Sequence, residues 1–453
     1  MVVVKKKGHA LIMKTRQRHL LMLLPVAALL LLGAHSLRMG DAGLVAALAG
    51  LVGLMVTRHG FVRHVATAAL AWGVLVWVET SLGLIGFRQA AGMPWLRLLS
   101  IMTGVVAFTL FALWLVAGRA GGRWFDRGDH AGPRAAVFLL TVIGLALIRS
   151  RVPFPILLAD RYFPGWGWLE IMALGVYAQW IVGLMLAPKG HRRNRPRIWA
   201  AFSAVFFGQL VLGLAGMESM LMTGTLHLPV PALIAAGPVF RGEGFFMPIL
   251  FGVTVLLVGP AWCSHLCYIG AWDDIMSRRG PGPAPSALLR RLSVAGRGAT
   301  LVLAVGAALL LRAMGVPGTT AVLFAAAFGL VGVGIMALVS RRLGLMAHCT
   351  AYCPMGLVAN VLGKVSPWRV RIGQECTGCG ACFTRCRYGA LDADRVAQGS
   401  PALSCTLCGD CVSACAHGQI GYRFPGLTGE AARTVFIVLV VSLHAMFLGV
   451  ARI

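Results

Sequence analysis

Residues 376–386 read CTGCGACFTRC and residues 405–415 read CTLCGDCVSAC, one four-cysteine phrase written again 29 residues on. The surroundings make the repeat unexpected, because the 453-residue chain is 58% hydrophobic and only 12% charged. That balance belongs to a bilayer protein rather than a soluble one. Apolar stretches recur at about 20–36, 43–57, 65–86, 98–118, 135–150, 168–187, 198–216, 245–261, 296–314, 320–340 and 432–451. Each is near the roughly 20 residues that a helix needs to cross the hydrocarbon layer. The second and fifth are short and read as tilted, partly buried or re-entrant.

The formal charge of +26 raises the question of nucleic acid, since basic patches neutralise phosphates. The positions of the charges answer it. With a cytoplasmic amino terminus and every stretch crossing, 32 of the 41 Lys and Arg residues fall on the inner side, including Arg58, Arg63, Lys189, Arg290, Arg291 and the HRRNRPR stretch at 191–197. This is the asymmetry that orients membrane proteins, so no nucleic-acid partner is expected. The basic start and first apolar run resemble a secretory signal, but the inside/outside alternation favours an uncleaved first span.

All twelve cysteines fall in four short motifs, a distribution unlike that of structural disulfides. The topology puts every one on the cytoplasmic side or its membrane edge, where clustered Cys signals metal or redox chemistry. The doubled phrase has the spacing C-x2-C-x2-C-x3-C. In a two-cluster bacterial ferredoxin, three thiolates of each phrase hold one 4Fe-4S cluster and the fourth crosses to the other. Cluster 1 is therefore expected on Cys376, Cys379, Cys382 and Cys415, and cluster 2 on Cys405, Cys408, Cys411 and Cys386. Gly380 and Gly409 stand at matching places, where the backbone must turn close to sulfide. A pair of zinc sites is the alternative set aside, because zinc rarely uses this spacing. The usual proline after the fourth Cys is replaced by Arg387 and Ala416.

The other four cysteines lie in AWCSHLCYIGAWDD and AHCTAYCPMG, just past the eighth and tenth stretches. Each pair is C-x3-C, and on a helical turn residues i and i+4 share a face, so Cys263, Cys267, Cys349 and Cys353 form a candidate four-sulfur site. Its occupant is left open among a third iron–sulfur cluster, a soft metal such as Cu(I) or Zn, a redox-active thiol array, and plain helix-end cysteines. His265 and His348 are neighbouring candidates to join it. The segments 198–267 and 296–353 repeat one plan of span, outer loop, span and C-x3-C end, as internal repeats do around shared sites.

With both cysteine classes in order, residues from about 198 to 451 resemble the NapH/NosR-type polyferredoxin membrane proteins, a family of membrane quinol dehydrogenase subunits. More distantly they are similar to the CcoG cytochrome oxidase accessory ferredoxins. The resemblance implies ligation of two 4Fe-4S clusters by the eight ferredoxin cysteines, a redox role for the C-x3-C four, and quinone and a redox partner protein, or other subunits of a respiratory complex, as partners. Tyr268 stands where the family's C-x3-C-P has proline. Residues 1–197 carry no such likeness.

A quinone site needs an apolar slot and a proton-handling group. The outer loop 217–244, with Glu218, His227, Arg241 and Glu243, is Pro- and Gly-rich and apolar enough to dip back among the helices, which irregular backbone does only when covered by protein or lining a cavity. The ordinary alternative is a solvated interfacial loop, and the same holds for Glu79 and Glu170. His35 and His444 are the candidates for a haem, although a lone His on an apolar face is usually only hydrogen-bonded. GRGAT at 296–300 opens a predicted span and is not a flavin attachment motif.

The expected fold is an all-α polytopic membrane protein of about eleven transmembrane helices with an inserted cytoplasmic α+β two-cluster ferredoxin-like domain. Its parts are 1–197, a membrane region; 198–365, a membrane region with both C-x3-C motifs; 366–428, the ferredoxin domain; and 429–453, a last transmembrane helix. The expected place is a bacterial inner membrane, with lipid around the spans. The expected role is electron transfer between quinone and a partner. The competing roles are a metal-centre maturation or disulfide-reducing factor acting at the C-x3-C cysteines, and a transporter-like scaffold.

Overall fold

The computed structural model describes residues 21–187, 190–221, 228–283 and 287–450, the side chains of 287–292 excepted. Lys189, His227, the basic residues before Leu21 and the side chains of Arg290 and Arg291 lie outside the described residues. The chain divides into two compact units, Met1–Gly183 and Leu184–Ile453. Among the described residues ten helices are long and apolar enough to cross a membrane.

The first unit is built from α1 (Leu21–Arg38), α2 (Ala42–Met55), α3 (Gly60–Ala90), α4 (Leu96–Ala117), α5 (Ala131–Arg151) and α6 (Gly167–Leu186). Its core is aliphatic and aromatic, with Leu29, Leu32, Val62, Ala66, Leu70, Ala112, Val116 and Phe138 buried together. The stretch expected as the second span is the exception in length. At 14 residues α2 is about 21 Å long, against a hydrocarbon core of about 30 Å. Its two ends nonetheless reach opposite ends of the unit. Gly43 lies against Trp168 at the start of α6, while the Met55 carbonyl accepts from Trp124 Nε1 at 3.4 Å, and α5 separates those two places.

The Trp124 end is basic. Arg58 lies over the Trp124 ring at 4.2 Å, Arg127 exchanges backbone hydrogen bonds with Arg58 and Gly60, and Arg63 donates to the terminal carbonyls of α4 at Val116, Ala117 and Gly118. Cations there face the negative end of the helix dipole. At the other end Asp160 pairs with Arg149 at 2.6 Å, and Glu170 accepts the Ala159 amide at 2.8 Å. Glu170 thus holds a loop together.

The second unit contains α7 (Gly190–Leu214), α8 (Leu233–Arg241), α9 (Phe246–Val258), α10 (Tyr268–Arg279), α11 (Ala287–Ala313), α12 (Gly318–Ile335), α13 (Pro354–Leu362) and α14 (Gly429–Val450). Helix α8 lies within the expected outer loop. Ala236, Gly237 and Pro238 are buried, Arg312 of α11 donates to the Val239 carbonyl at 3.2 Å, and Val230 packs at Gly329 of α12. This part of the loop does fold back among the helices, and it does so as a helix, which satisfies its own backbone.

Strands β1 (Arg369–Ile372), β2 (Ile420–Phe424) and β3 (Leu427–Thr428) form an antiparallel sheet in that order. Val370 pairs with Tyr422 and Ile372 with Ile420, all buried, while Arg371 and Arg423 are exposed, the alternation of a sheet with one covered face. What covers it fixes the module in place. Trp368 Nε1 donates to the Leu257 carbonyl of α9 at 2.9 Å, and Tyr422 stacks on Phe436 of α14 at 4.5 Å. The cysteine module therefore sits directly on the ends of two apolar helices.

Candidate metal centres

The two phrases close around two hollows. One is walled by Cys376, Cys379, Cys382 and Cys415 with Gly378, Gly380 and His417. The other is walled by Cys386, Cys405, Cys408 and Cys411 with Tyr388, Leu407 and Asp410. In each, three cysteines come from one phrase and the fourth from the other. The first hollow is the more open, since Cys379 is exposed. In the second, burial pushes the Cys386, Cys405 and Cys408 thiols up to about 12. Buried thiols ionise only where a bound cation compensates them, so these cysteines can act as ligands only with a cationic core between them.

The loops hold their shape with a shared backbone pattern. Gly378 and Gly380 have φ of 68° and 78°, and the matching Leu407 and Gly409 have 56° and 78°, the left-handed region that glycine enters freely. The amide of Ala390 donates to Cys386 Sγ at 3.2 Å, a contact of the kind that tunes cluster potentials. Arg387, standing where proline is usual, donates to the carbonyls of Ser277 at 2.6 Å and Gly344 at 3.0 Å. The departure from the motif ties the module to the end of α10.

A buried charge network supports the second hollow. Arg195 of α7 is 1% exposed in its side chain and meets Asp410 at 2.9 Å and Asp274 at 3.2 Å, and it also donates to the Ser264 carbonyl. Arg278 pairs with Asp274 at 2.6 Å and with Asp410 at 3.0 Å. Burial alone would push Asp410 up, yet Arg195 and Arg278 hold it down to about 2. Two cations and two anions balance, the condition under which buried charge is tolerated. His191 adds a 2.6 Å contact to the Cys408 carbonyl.

The C-x3-C cysteines do not lie on regular α-helical turns as their spacing suggested. Cys263 is in a π turn, Trp262–Leu266, and Cys349 in another, His348–Tyr352. Each turn closes with a hydrogen bond five residues back, from Cys267 to Trp262 at 2.9 Å and from Cys353 to His348 at 2.8 Å. Cys267 and Cys353 are extended and open α10 and α13. The likeness of the halves extends to single atoms. Cys267 receives the amides of Ile269 and Gly270, and Cys353 those of Met355 and Gly356. A Cβ on Gly270 would stand 2.9 Å from the Cys263 carbonyl, and one on Gly356 2.8 Å from that of Cys349. Tyr268 occupies the first helical position as Pro354 does, so the missing proline leaves the turn unchanged.

The four thiols converge. Cys349 lies within electrostatic reach of Cys353, Cys267 and Cys263, and Cys263 of Cys267 and Cys353. Asp273 accepts the Cys349 amide at 2.9 Å, and burial pushes its carboxyl up to about 6. Among the described residues no three or more His, Cys, Asp or Glu groups stand where they could hold a metal ion.

Two contacts join the array to the second hollow. Tyr388, in its wall, donates from Oη to the Cys263 carbonyl at 3.1 Å. Asn360 donates to the Cys405 carbonyl at 3.3 Å and accepts from Arg297 Nη1 at 2.7 Å.

Other candidates have plainer surroundings. His265 contacts Ser264 Oγ at 3.0 Å and accepts at its carbonyl from His444 at 3.2 Å. His348 is buried beside Tyr352. In the first unit His35 contacts Thr80 at 3.5 Å and lies against Trp77. The sequence reading missed Arg195 and Arg297 because both were counted as topology charges. For Arg195 the signal was the placing of scarce acidic residues, 15 in the whole chain, near cysteines at Asp274 and Asp410.

A 4Fe-4S binding domain family matches the chain twice, over residues 243–292 and 325–373. Each match holds one C-x3-C turn, and neither reaches Cys376. No curated protein and no solved structure matches the chain. The chain thus carries a 4Fe-4S binding domain within a set of apolar helices compatible with a multi-pass membrane protein.

Proposed function

We propose that this protein is an iron–sulfur electron-transfer protein of a bacterial inner membrane, passing electrons between the quinone pool and a partner redox protein. Cys376, Cys379, Cys382 and Cys415 hold one 4Fe-4S cluster, and Cys405, Cys408, Cys411 and Cys386 hold the second. The observation that carries the reading is the pair of hollows, each walled by three cysteines of one phrase and one of the other, the interchange characteristic of two-cluster ferredoxins. The likeness to NapH/NosR-type polyferredoxins supports the quinone and the partner, and the charge asymmetry supports a cytoplasmic module.

Bound clusters would supply one-electron chemistry, and the chain's own residues prepare the place for it. Val370, Leu391 and Leu407 exclude water from the second hollow. The Arg195–Asp410–Arg278–Asp274 network holds that hollow against α7 and α10 without leaving net charge. The exposed edge at Cys379 is where a soluble partner approaches most closely. On the outer side, Glu218, Arg241 and Glu243 flank the stretch that folds back as α8, and supply proton-handling groups for quinol.

Protein purified without oxygen, with iron and sulfide quantified and EPR recorded after reduction, tests the cluster assignment. At least eight irons per chain are expected, four for each cluster. Colourless, iron-free protein sinks the reading, and a count near four contradicts the ligand sets. In liposomes, a short-chain quinol should reduce the clusters, or a quinone reoxidise them. Clusters inert to both remove quinone from the proposal.

A further inference from the structure

The two π turns present four thiols to one another, and besides Asp273, which accepts the Cys349 amide, a cation faces them. Arg297, on α11, is 1% exposed. It donates to the Ser293 carbonyl and to Asn360, and its remaining nitrogen, Nη2, is buried without a hydrogen-bond partner. It stands within electrostatic reach of Cys263, Cys349 and Cys353, and Nη1 lies 3.5 Å from the place of a Cβ on Gly356. A buried guanidinium without a carboxylate partner is a large cost unless an anion faces it. Four protonated thiols, or two disulfides, supply none.

We propose that Cys263, Cys267, Cys349 and Cys353 bind a third iron–sulfur cluster, one cysteine to each corner, and that Arg297 is its counter-cation. Two further observations support the cluster over a single metal ion. Amides at the starts of α10 and α13 point at Cys267 and Cys353 in the same way in both halves, as donors do around cluster sulfurs. The 4Fe-4S binding domain matches fall on these turns and stop short of the ferredoxin cysteines. A preformed 4Fe-4S core passed on from a donor protein's thiolates releases four thiol protons here, makes four cysteine–iron bonds and breaks the four that held it on the donor, whose thiolates take up protons in turn. Thereafter the site gains or loses one electron with no bond made or broken. Asn360, bonded to both Arg297 and the Cys405 carbonyl, is the positioning residue between this site and the second hollow.

The inference rests on the iron–sulfur reading of the chain but not on quinone, and one experiment separates them. Full-length protein purified anaerobically should hold about twelve irons, three clusters of four. C263A and C349A should each lower the count to about eight while the EPR signals of the module persist. Eight irons in the unsubstituted protein with those signals intact overturn the third cluster and leave the function standing, whereas iron-free protein sinks the function itself. Stoichiometric zinc or copper lost on either substitution also overturns it. For Arg297 the readout is the third cluster's midpoint potential. R297M should shift it down or lose the cluster, because a neighbouring cation favours the more negative reduced form, and R297K should stay near the parent. A potential unmoved in R297M removes Arg297 from its role.

Discussion

Leu407 holds a left-handed backbone, φ 56°, at the place where the first phrase has Gly378 at 68°. A leucine in that conformation costs about 1–2 kcal/mol, so the reason it is there must be sought in its side chain. That side chain is buried at 5% exposure and reaches Gly259, while its carbonyl accepts from Tyr422 Oη at 2.9 Å. Removing a buried leucine costs about 2–5 kcal/mol, more than the relief of strain. Leu407→Gly should therefore destabilise the protein by about 1–3 kcal/mol, read as a lower thermal unfolding midpoint. A raised midpoint would show that strain outweighs packing. Asp410 makes a sharper case, because its loss leaves Arg195 and Arg278 facing Asp274 alone. Breaking a buried ion network from one side costs about 3–5 kcal/mol, so Asp410→Asn should lower the midpoint more than Leu407→Gly does. An equal or smaller drop would mean that the network is reached by water.

At the scale of elements, the C-x3-C turns show what spacing conveys and what it hides. A separation of four residues fits an α turn, and only the five-back hydrogen bonds of Cys267 and Cys353 reveal the π turns, since nothing in the pair itself distinguishes the two. The supports of each turn come from elsewhere in the chain. Trp199 Nε1 donates to the Cys267 carbonyl at 2.9 Å and Ser203 to that of Tyr268, while Thr300 donates to the Tyr352 carbonyl at 2.7 Å. GRGAT, set aside as a cofactor motif, thus contributes Arg297 and Thr300 to the second turn. A charge near a membrane edge serves topology or structure alike, and sequence gives no side-chain direction to choose between them. The three cysteines that each hollow takes from one phrase, by contrast, are brought together by local spacing, while the fourth crosses from the other phrase. The equivalence of the turns is testable. Ala at Gly270 would press a Cβ on the Trp199 ring at 2.7 Å and the Cys263 carbonyl at 2.9 Å, and Ala at Gly356 on the Cys349 carbonyl at 2.8 Å, an overpacking worth about 1–3 kcal/mol. Gly270→Ala and Gly356→Ala should therefore both lower the unfolding midpoint, Gly270→Ala by at least as much. A silent Gly270→Ala beside a damaging Gly356→Ala would separate the halves.

For the whole molecule the open quantity is how many times the chain crosses, since among the described residues ten helices have the length and α2 does not. Hydropathy alone misjudges such a helix, because it measures composition and not the distance that must be spanned. The first unit supplies the missing geometry. Residues 37–41 lead into Gly43, which meets Trp168, and the loop 152–166 leads into the same helix start, so both loops belong to one end of the unit. Arg58 and Arg127 are joined by backbone hydrogen bonds at the other. If that end is one face of the bilayer, α2 crosses despite its 14 residues, at a cost of a fraction of a kcal/mol for each ångström of mismatch, met by local thinning. Reporter insertions after Met39 and after Phe163 should then read on the same side, and one after Asp126 on the opposite, cytoplasmic side where positive charge is retained. Insertions at Met39 and Asp126 reading on one side would make α2 a surface or re-entrant helix, and would reverse the orientation of every later segment counted from the amino terminus.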